Sequence, residues 1–161
     1  MKEIKAIALD VDGVLTDGGV WWGPGGEEWK RFSYSDIMGV SLGTRGGLLF
    51  ALISGEDRPR VDRFAAKMGI TFVEKNCKDK AAALRRVSAA SGIPVSNFAF
   101  MGDDVNDLEA MALCGLAAAP ADAQPPARER ASFNAKARGG RGAVRELVEA
   151  VLAGRAGKAA W

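Results

Sequence analysis

The sequence predicts an α/β protein with a doubly wound parallel sheet, and two features of its 161 residues support this prediction. Short apolar runs typical of buried strands alternate with longer segments that have a helical pattern, which favours a parallel sheet covered by helices on both faces. Two of the apolar runs also end in closely spaced aspartates, as expected where parallel strands meet a ligand-binding crevice. A chain of this length is expected to form one domain over residues 1–161.

Five apolar runs are predicted to form the core strands, because they are short, rich in apolar residues and mostly bounded by Gly, Asp or Asn. In chain order they are IKAIAL (4–9), LLFALIS (48–54), ITFV (70–73), NFAFM (97–101) and GLAAA (115–119). Helices are expected between and after these strands, at residues 37–45, 58–68, 79–90, 106–113 and 143–152.

A small β-hairpin insertion is predicted at GGVWWGPGGEEWKRFS, residues 18–33, around a turn at residues 23–26. Its tryptophans, Trp21, Trp22 and Trp29, are too many large apolar groups for a hairpin that is surrounded by water. They could pack on their own domain, or they could be buried against another subunit. We favour the second interpretation, in which the hairpin is an oligomerisation element.

Two further segments are expected to lack regular structure. Residues 120–130 are predicted to form a loop-rich connection, and residues 154–161 a mobile tail.

The charge balance of the chain argues against electrostatic binding to nucleic acid or to a membrane surface. The chain has 22 Lys and Arg and 20 Asp and Glu residues, a formal net charge of +2, so neither nucleic acid nor a membrane surface is an expected partner. No N-terminal stretch resembles a signal peptide, and no apolar run approaches the ~20 residues that span a bilayer. A cytoplasmic location is therefore expected, with Cys77 and Cys114 as reduced thiols.

The sequence contains no histidine, which narrows the possible chemistry. Histidine is the most common general base and the most common zinc ligand, so triads that depend on it and histidine-bound zinc sites are excluded. A hydrolase built from this sequence must therefore use carboxylates.

Carboxylates follow two of the predicted strands. Asp10 and Asp12 alternate with apolar residues, so their side chains point the same way from the strand end and repel each other unless a cation lies nearby. Asp103, Asp104 and Asp107 follow the fourth strand, and the last two could alternatively serve a helix N-terminus, worth ~0.3–1 kcal/mol. A hard site made only of oxygen ligands suits Mg²⁺.

Two other stretches are typical of phosphate binding. Ser54 and Gly55 place a hydroxyl and a backbone N–H at the end of a strand. Lys80 opens a predicted helix, where a cation is disfavoured by the helix dipole unless an anion is held beside it; a solvated lysine is the alternative interpretation.

Together these motifs resemble the haloacid dehalogenase superfamily, which has a Rossmann-like fold. The matching segments are DVDGVLT (10–16), Ser54-Gly55, Lys80 and GDDVND (102–107). The resemblance extends over nearly the whole chain to small phosphatases without a cap domain that act on 3-deoxy-2-ulosonate phosphates. Their substrates include 3-deoxy-D-manno-octulosonate (KDO) 8-phosphate and the nonulosonate KDN and sialic acid 9-phosphates. GEEWKRF (26–32) and GGRGAVRE (139–146) match this branch.

The resemblance implies a role for each motif residue. Asp10 would be the nucleophile that forms an aspartyl phosphate, and Asp12 the general acid and base. Mg²⁺ would be held by Asp10, the backbone carbonyl of Asp12, and Asp103, while Asp104 and Asp107 would hold metal waters or Lys80. Lys80, Ser54 and Gly55 would bind the transferring phosphoryl group.

The resemblance also implies how the site is closed. Residues 18–33 are only a hairpin, and the stretch from Ser54 to Lys80 has room for one helix and one strand, so the chain has no cap domain. In this family neighbouring subunits cover the site within a homotetramer whose hairpins form a central barrel. A homotetramer with a phosphorylated sugar acid as its small-molecule substrate is therefore expected.

The substrate-specificity positions match the branch unevenly. Octulosonate-type members usually have arginine where this chain has Glu56, whereas nonulosonate-type members have glutamate and a basic residue about three helical turns later, which Lys67 would match. The nine-carbon acid is favoured on this basis; the eight-carbon acid would place the protein in lipopolysaccharide synthesis. Alternatively, Glu56 and Arg60 form an ordinary i,i+4 ion pair. Residues 36–39 also depart from the Asp-Gly-x-Gly of many relatives in a loop expected to face the substrate.

Two non-hydrolytic alternatives remain open from the sequence. A catalytically silent domain of the same superfamily would tolerate loss of Asp12 or Lys80, but both are present. A receiver-like phosphoacceptor module also gathers acidic strand ends around Mg²⁺, but its acidic pair should precede the phosphoacceptor strand.

Two other enzyme classes, phosphomutases and membrane phosphotransferases, would also form an aspartyl phosphate. The sequence does not support either class, because it shows neither a cap domain nor a membrane segment.

Overall fold

A six-stranded parallel sheet forms the centre of the protein, in a computed structural model that describes residues 3–155. The strands of the chain are β1 (Ala6–Leu9), β2 (Trp21–Trp22), β3 (Glu28–Trp29), β4 (Leu49–Ile53), β5 (Phe72–Glu74), β6 (Phe98–Met101), β7 (Leu116–Ala119) and β8 (Phe133–Asn134). The main sheet has the order β5-β4-β1-β6-β7-β8, and β2 pairs with β3 in a separate antiparallel hairpin. The predicted doubly wound α/β architecture is confirmed.

Six α-helices connect or follow the strands. They are α1 (Tyr34–Arg45), α2 (Pro59–Met68), α3 (Lys80–Ser91), α4 (Leu108–Leu113), α5 (Pro125–Arg130) and α6 (Ala143–Arg155). Short 3₁₀ turns at Val95–Asn97 and Val105–Asp107 precede β6 and α4. None of the helices within residues 3–155 is both long and apolar enough to cross a bilayer.

The two faces of the sheet are covered by different helices. Ile7, Leu9 and their counterparts on β4, β6 and β7 pack against α1, α2 and α6. Ala6, Ala8 and their counterparts pack against α3, α4 and α5 on the opposite face. This alternation follows the two-residue period of a strand, and it explains why the central strands read as continuous apolar runs.

The strand order places a switch point beside β1. The chain passes from β1 to β4 and β5 on one side, then returns to β6, β7 and β8 on the other. Leu9 and Met101, the last residues of β1 and β6, are paired in register. The residues that follow these two strands therefore meet at the carboxyl edge of the sheet, where doubly wound folds bind ligands.

The hairpin lies between β1 and α1 and leaves its aromatic side chains in solvent. Trp21 pairs with Trp29 across the hairpin, and the exposed fractions of Trp21, Trp22 and Trp29 are 72%, 72% and 59%. Only α2 lies between β4 and β5. The expected hairpin and the absence of a cap domain within the described residues are both confirmed.

Three expectations about irregular segments need correction. The 120–130 connection contains helix α5, which Pro125 and Pro126 begin; proline suits the first helical turn because its φ is preset and no N–H is needed there. The short edge strand β8 was not anticipated. Helix α1 begins at Tyr34, three residues before the predicted helix at 37–45, so residues 36–39 lie within it and not in a loop that faces the substrate. In the expected tail, residues 154–155 belong to α6 and residues 156–161 lie outside the described part of the chain.

Candidate active site

Asp10 and Asp103 meet at the carboxyl edge of the sheet because they follow the neighbouring strands β1 and β6. The backbone N–H of Asp10 donates to Met101 O at 3.0 Å, which continues the pairing of these strands. The Asp10 carboxylate is buried, and its Oδ1 accepts a hydrogen bond of 2.7 Å from the Val11 N–H. Carboxylate oxygens of Asp10, Asp103 and Asp107 lie within 4.8 Å of one another.

Lys80 supplies the ammonium group inside this cluster. It is the first residue of α3, after Asp79, whose Oδ1 caps the helix by accepting from the Ala82 N–H at 2.8 Å. Lys80 Nζ lies 2.9 Å from Asp10 Oδ2 and 2.7 Å from Asp107 Oδ1, and its side chain is only 1% exposed. Lys80 is therefore held in place by ion pairs within the site and is not a solvated helix-end lysine.

Asp107 and Asp104 shape the loop after β6. Asp107 Oδ2 accepts hydrogen bonds from the backbone N–H groups of Asp103 at 2.9 Å and Asp104 at 3.2 Å. Asp104 Oδ1 accepts from the Val105 N–H at 2.6 Å and caps the 3₁₀ turn. Asp104 thus has the helix-capping role that the sequence allowed, whereas Asp107 connects that loop to Lys80.

The cluster holds more negative than positive charge, and the pKa values of its carboxyls reflect this. Burial, followed by repulsion from Asp107, raises the pKa of Asp10 to about 8 although Lys80 opposes the shift. The same two causes raise the pKa of Asp103 to about 6. Burial acts to lower the pKa of Lys80, but the charges of Asp10 and Asp107 outweigh it and the pKa rises. A hard divalent cation would relieve this excess of negative charge, so the donor set fits Mg²⁺.

Asp12 lines the same cleft as Asp10, Lys80 and Asp103, and its side chain is 29% exposed. Its Oδ1 accepts a hydrogen bond from Lys30 Nζ, and its Oδ2 lies 3.9 Å from Arg60 Nη2. Two cations that come from the hairpin and from α2 therefore face Asp12. Sequence reasoning missed Lys30, although it stands within the GEEWKRF segment that the resemblance singled out.

Ser54 and Gly55 follow β4 and reach the same edge. Ser54 is buried, its N–H donates to Glu74 O at 2.8 Å, and its Oγ accepts from the Glu56 N–H at 3.2 Å. Gly55 lines the cleft. The two residues expected to bind phosphate therefore lie at the same sheet edge as Asp10, and their phosphate-binding role stays a prediction.

The loop that carries Asp12 is held by close packing that only glycine permits. Gly13 has a φ of +83°, and a Cβ built there would lie 2.0 Å from Asp103 Oδ2. From the other side, a Cβ on Gly139 would lie 1.9 Å from Gly13 O, and Gly140 N–H donates to Val14 O at 2.9 Å. The GGRG segment, residues 139–142, therefore packs against the Asp12 loop and supports it, a role that the sequence did not indicate.

Asp36 fixes the position of the GGRG segment. It is buried, and its carboxylate accepts hydrogen bonds of 3.1 to 3.3 Å from the backbone N–H groups of Gly142, Val144 and Arg145 at the start of α6. Burial raises the pKa of Asp36 although these three donors oppose the shift. The residue expected in a substrate-facing loop is thus a cap that joins α1 to α6.

Two adjoining clefts are open at this end of the sheet. The reactive cleft has a volume of about 270 Å³ and is lined by Asp10, Asp12, Gly13, Gly18, Gly55, Glu56, Lys80, Asp103, Asp104 and Asn106. The basic cleft has a volume of about 320 Å³ and is lined by Glu28, Trp29, Lys30, Phe32, Ile37, Arg60, Arg63, Phe64 and Lys67. Four cations and one carboxylate line the basic cleft, which suits an anionic group.

The two expected specificity residues lie in different clefts. Glu56 lines the reactive cleft, is about half exposed, and pairs with Arg60 Nη2 at 2.9 Å, as in the alternative interpretation. Lys67 lines the basic cleft, with its Nζ 5.8 Å from the centre of the Tyr34 ring. The structure therefore does not join Glu56 and Lys67 in one contact, and their specificity role stays a prediction.

Comparison with known proteins agrees with this geometry. A family model described as haloacid dehalogenase-like hydrolase matches residues 53–145. The 3-deoxy-D-manno-octulosonate 8-phosphate phosphatase of Escherichia coli is 36% identical over 151 residues, which cover 94% of this chain and 80% of that protein.

Solved structures show the same similarity. The Moraxella catarrhalis 3-deoxy-D-manno-octulosonate 8-phosphate phosphatase, in complex with magnesium, phosphate and KDO, has a TM-score of 0.90 and 34% identity over 94% of this chain and 87% of that one. The cobalt-bound Haemophilus influenzae enzyme has a TM-score of 0.91 and 32% identity over 98% and 91%. The chain thus belongs to the haloacid dehalogenase-like hydrolases, in the branch that contains the 3-deoxy-D-manno-octulosonate 8-phosphate phosphatases.

Proposed function

We propose that this protein is a Mg²⁺-dependent phosphomonoesterase that hydrolyses a 3-deoxy-2-ulosonate phosphate, with KDO 8-phosphate as the first candidate substrate. The observation that carries the proposal is the buried cluster of Asp10, Asp103, Asp107 and Lys80 beside Asp12, at the switch point of the sheet. Relatives that act on KDO 8-phosphate share 36% of its sequence. The complete set of reactive groups argues against a silent or receiver-like domain.

In the first step a carboxylate oxygen of Asp10 attacks phosphorus. The new P–O bond to Asp10 forms as the P–O bond to the sugar breaks, and the electron pair of the broken bond goes to the sugar oxygen. That oxygen takes the proton of the Asp12 carboxyl, because an unprotonated alkoxide is a poor leaving group. Lys80, 2.9 Å from Asp10, neutralises charge beside the transferring group.

In the second step water releases the phosphate. Its oxygen bonds to phosphorus while its proton goes to the Asp12 carboxylate, and the P–O bond to Asp10 breaks with the electron pair returning to Asp10. Both aspartates end in the state in which they began. The reaction therefore needs one proton carrier, and Asp12 serves in both directions.

Mg²⁺, when bound by Asp10, the Asp12 carbonyl and Asp103, supplies positive charge that stabilises the phosphoryl oxygens. Asp107 is the third member of the cluster by distance, but Lys80 and two backbone N–H groups already occupy its oxygens. We therefore assign Asp107 to holding Lys80 and the Asp103 loop, and Asp104 to capping that loop.

The proposal is tested by phosphate release from KDO 8-phosphate and a nonulosonate 9-phosphate at matched concentrations, with and without Mg²⁺. We expect metal-dependent release of phosphate from at least one of these two sugar-acid phosphates. Release from neither, by folded protein supplied with Mg²⁺, would refute the substrate class.

A nonulosonate 9-phosphate is the second candidate substrate, because Glu56 lines the reactive cleft where octulosonate-type members usually have arginine. Suppose that Glu56 and Lys67 contact the sugar acid and determine specificity. Glu56→Ala and Lys67→Ala should then each change the ratio of kcat/KM for the nine-carbon and eight-carbon substrates by about tenfold, equivalent to ~1.4 kcal/mol. Turnover of a simple aryl phosphate should change much less, since it lacks the groups that these residues would contact.

A matched control exists for the Glu56 variant. Glu149 forms a similar exposed i,i+4 pair with Arg145 at 2.7 Å on α6, so Glu149→Ala removes an equivalent ion pair away from both clefts. Equal losses on sugar acids and aryl phosphate, or the same behaviour in Glu149→Ala, would show that Glu56 and Lys67 are scaffold residues.

We also propose that the protein is a cytoplasmic, single-domain homotetramer whose neighbouring subunits cover the clefts. Support comes from the three exposed tryptophans on the hairpin, together with Tyr34 and Met38 at 79% and 45% exposure on α1. Exposed aromatic clusters of this kind are typical of subunit interfaces.

The hairpin prediction is tested with the Trp21→Ser/Trp29→Ser double variant. Since these side chains are solvent-exposed within one subunit, the subunit should still fold while the assembly shifts to smaller species. Sedimentation equilibrium at the same protein concentration as wild type measures this shift. A wild-type tetramer that persists unchanged in the double variant would place the interface elsewhere.

A further inference from the structure

Lys30 joins the hairpin to the reactive cleft. It follows Trp29, the last residue of β3, by one position, and its Nζ donates to Asp12 Oδ1. Its side chain is only 8% exposed, an unusual environment for lysine. A buried ammonium group needs a partner, and within the described residues Asp12 is the only acid within ion-pair distance of Lys30.

This contact occupies one Asp12 oxygen and leaves the other available. Within residues 3–155, Asp12 Oδ2 accepts no hydrogen bond, and its nearest cationic neighbour is Arg60 Nη2 at 3.9 Å. An oxygen without a hydrogen bond can carry and transfer a proton, whereas the oxygen bound to Lys30 fixes the orientation of the carboxyl group. Asp12 lines the reactive cleft, so this orientation decides where the proton is presented.

We propose that Lys30 is a positioning residue that holds Asp12 Oδ1 and thereby presents Oδ2 to the oxygen of the leaving group. The inference rests on the proposed phosphatase function, in which Asp12 protonates the departing oxygen. Lys30 transfers no proton and contacts no reacting atom. Its effect is on the geometry of the Asp12 side chain.

A second set of contacts ties the same hairpin to the same carboxylate. Glu28 of β3 accepts from Arg60 Nη1 at 3.3 Å and from Trp22 Nε1 at 3.0 Å. Arg60 in turn lies near Asp12 and pairs with Glu56. The hairpin therefore approaches Asp12 both directly through Lys30 and indirectly through Glu28 and Arg60, and a displacement of β3 would displace both.

The proposal predicts a dependence on the leaving group. A basic leaving group needs a well-placed proton, whereas p-nitrophenolate departs without one. In Lys30→Met, kcat/KM should fall below that of wild type across a series of substituted phenyl phosphates. The loss should grow as the phenolate that leaves becomes more basic. We expect a loss of about 10- to 100-fold for the most basic phenol and less than about threefold for p-nitrophenyl phosphate.

The series separates positioning from substrate binding. Phenyl phosphates lack the sugar acid, so a role of Lys30 in binding the sugar through the basic cleft would not change how kcat/KM depends on the phenol. A uniform loss across the series, or no loss, would overturn the proposal. A wild-type protein that hydrolyses neither phenyl phosphates nor ulosonate phosphates would instead refute the proposed function.

Two further variants complete the test. In an Asp12→Asn background, Lys30→Met should cause no additional loss, because Lys30 acts through Asp12; an additive loss would contradict this. Lys5→Met, which changes an exposed lysine before β1, should match wild type throughout. If circular dichroism shows that Lys30→Met is unfolded, Lys30→Gln takes its place, and an unchanged leaving-group dependence in that folded variant would overturn the proposal.

Discussion

Asp10→Asn should abolish phosphate release while the fold is retained. The amide cannot form the phosphoryl–enzyme bond, so kcat should fall by a factor on the order of 10⁴ or more. The fold should tolerate the change because Lys80 keeps its ion pair with Asp107 at 2.7 Å. Burial and repulsion already raise the pKa of Asp10 to about 8, so a neutral side chain at this position suits the metal-free protein.

The matched control for this variant is Asp62→Asn. Asp62 is an exposed carboxylate on α2 that pairs with Lys75 at 2.8 Å, away from the reactive cleft. It should retain wild-type turnover, and both variants should unfold near the wild-type temperature when metal is absent. Substantial turnover by purified Asp10→Asn protein would exclude Asp10 as the nucleophile.

Removing Mg²⁺ should stop turnover and make stability depend on pH. Burial holds the pKa of Asp10 at about 8 and that of Asp103 at about 6, both above the ordinary value of 3.8. The folded, metal-free protein therefore retains protons that the unfolded chain releases above about pH 4. These retained protons add to the free energy of unfolding. Their contribution is complete below about pH 4 and is lost as the pH rises through 6 and 8.

Mg²⁺ replaces these protons, so the stabilisation that it gives should increase over the same pH interval. At 100 times its dissociation constant, a ligand contributes ~2.7 kcal/mol to the free energy of unfolding. The melting temperature should therefore rise by several degrees with Mg²⁺ at about pH 8 and by much less at about pH 5. A Mg²⁺ shift of the same size at both pH values would argue against metal binding by Asp10 and Asp103.

The sequence predicted the fold well where the chain is regular and apolar. The five core strands lie within about two residues of their predicted positions, because buried parallel strands give continuous apolar runs. Helix α5 was missed because paired prolines are as common in loops as at a helix start. Strand β8 is two residues long at the sheet edge, too short to produce a pattern.

In the site, residues that follow strands were predictable, but contacts between distant segments were not. Asp10 and Asp103 could be placed together because strand topology brings their positions to one edge. Lys30 and Asp12 are 18 residues apart, and their contact depends on how the hairpin folds back over the loop. The three hydrogen bonds of Asp36 to the start of α6 span more than 100 residues and leave no local pattern.

The most direct test of the central claim is detection of the phosphoenzyme. The wild-type protein is acid-quenched during turnover of KDO 8-phosphate with Mg²⁺, and its peptides are analysed by mass spectrometry after borohydride reduction of any acyl phosphate. Borohydride replaces the acyl phosphate by an alcohol and releases the phosphate, so we expect Asp10, and no other aspartate, to be recovered as homoserine. Turnover with Asp10 recovered unreduced, or with homoserine at another aspartate position, would contradict Asp10 as the nucleophile.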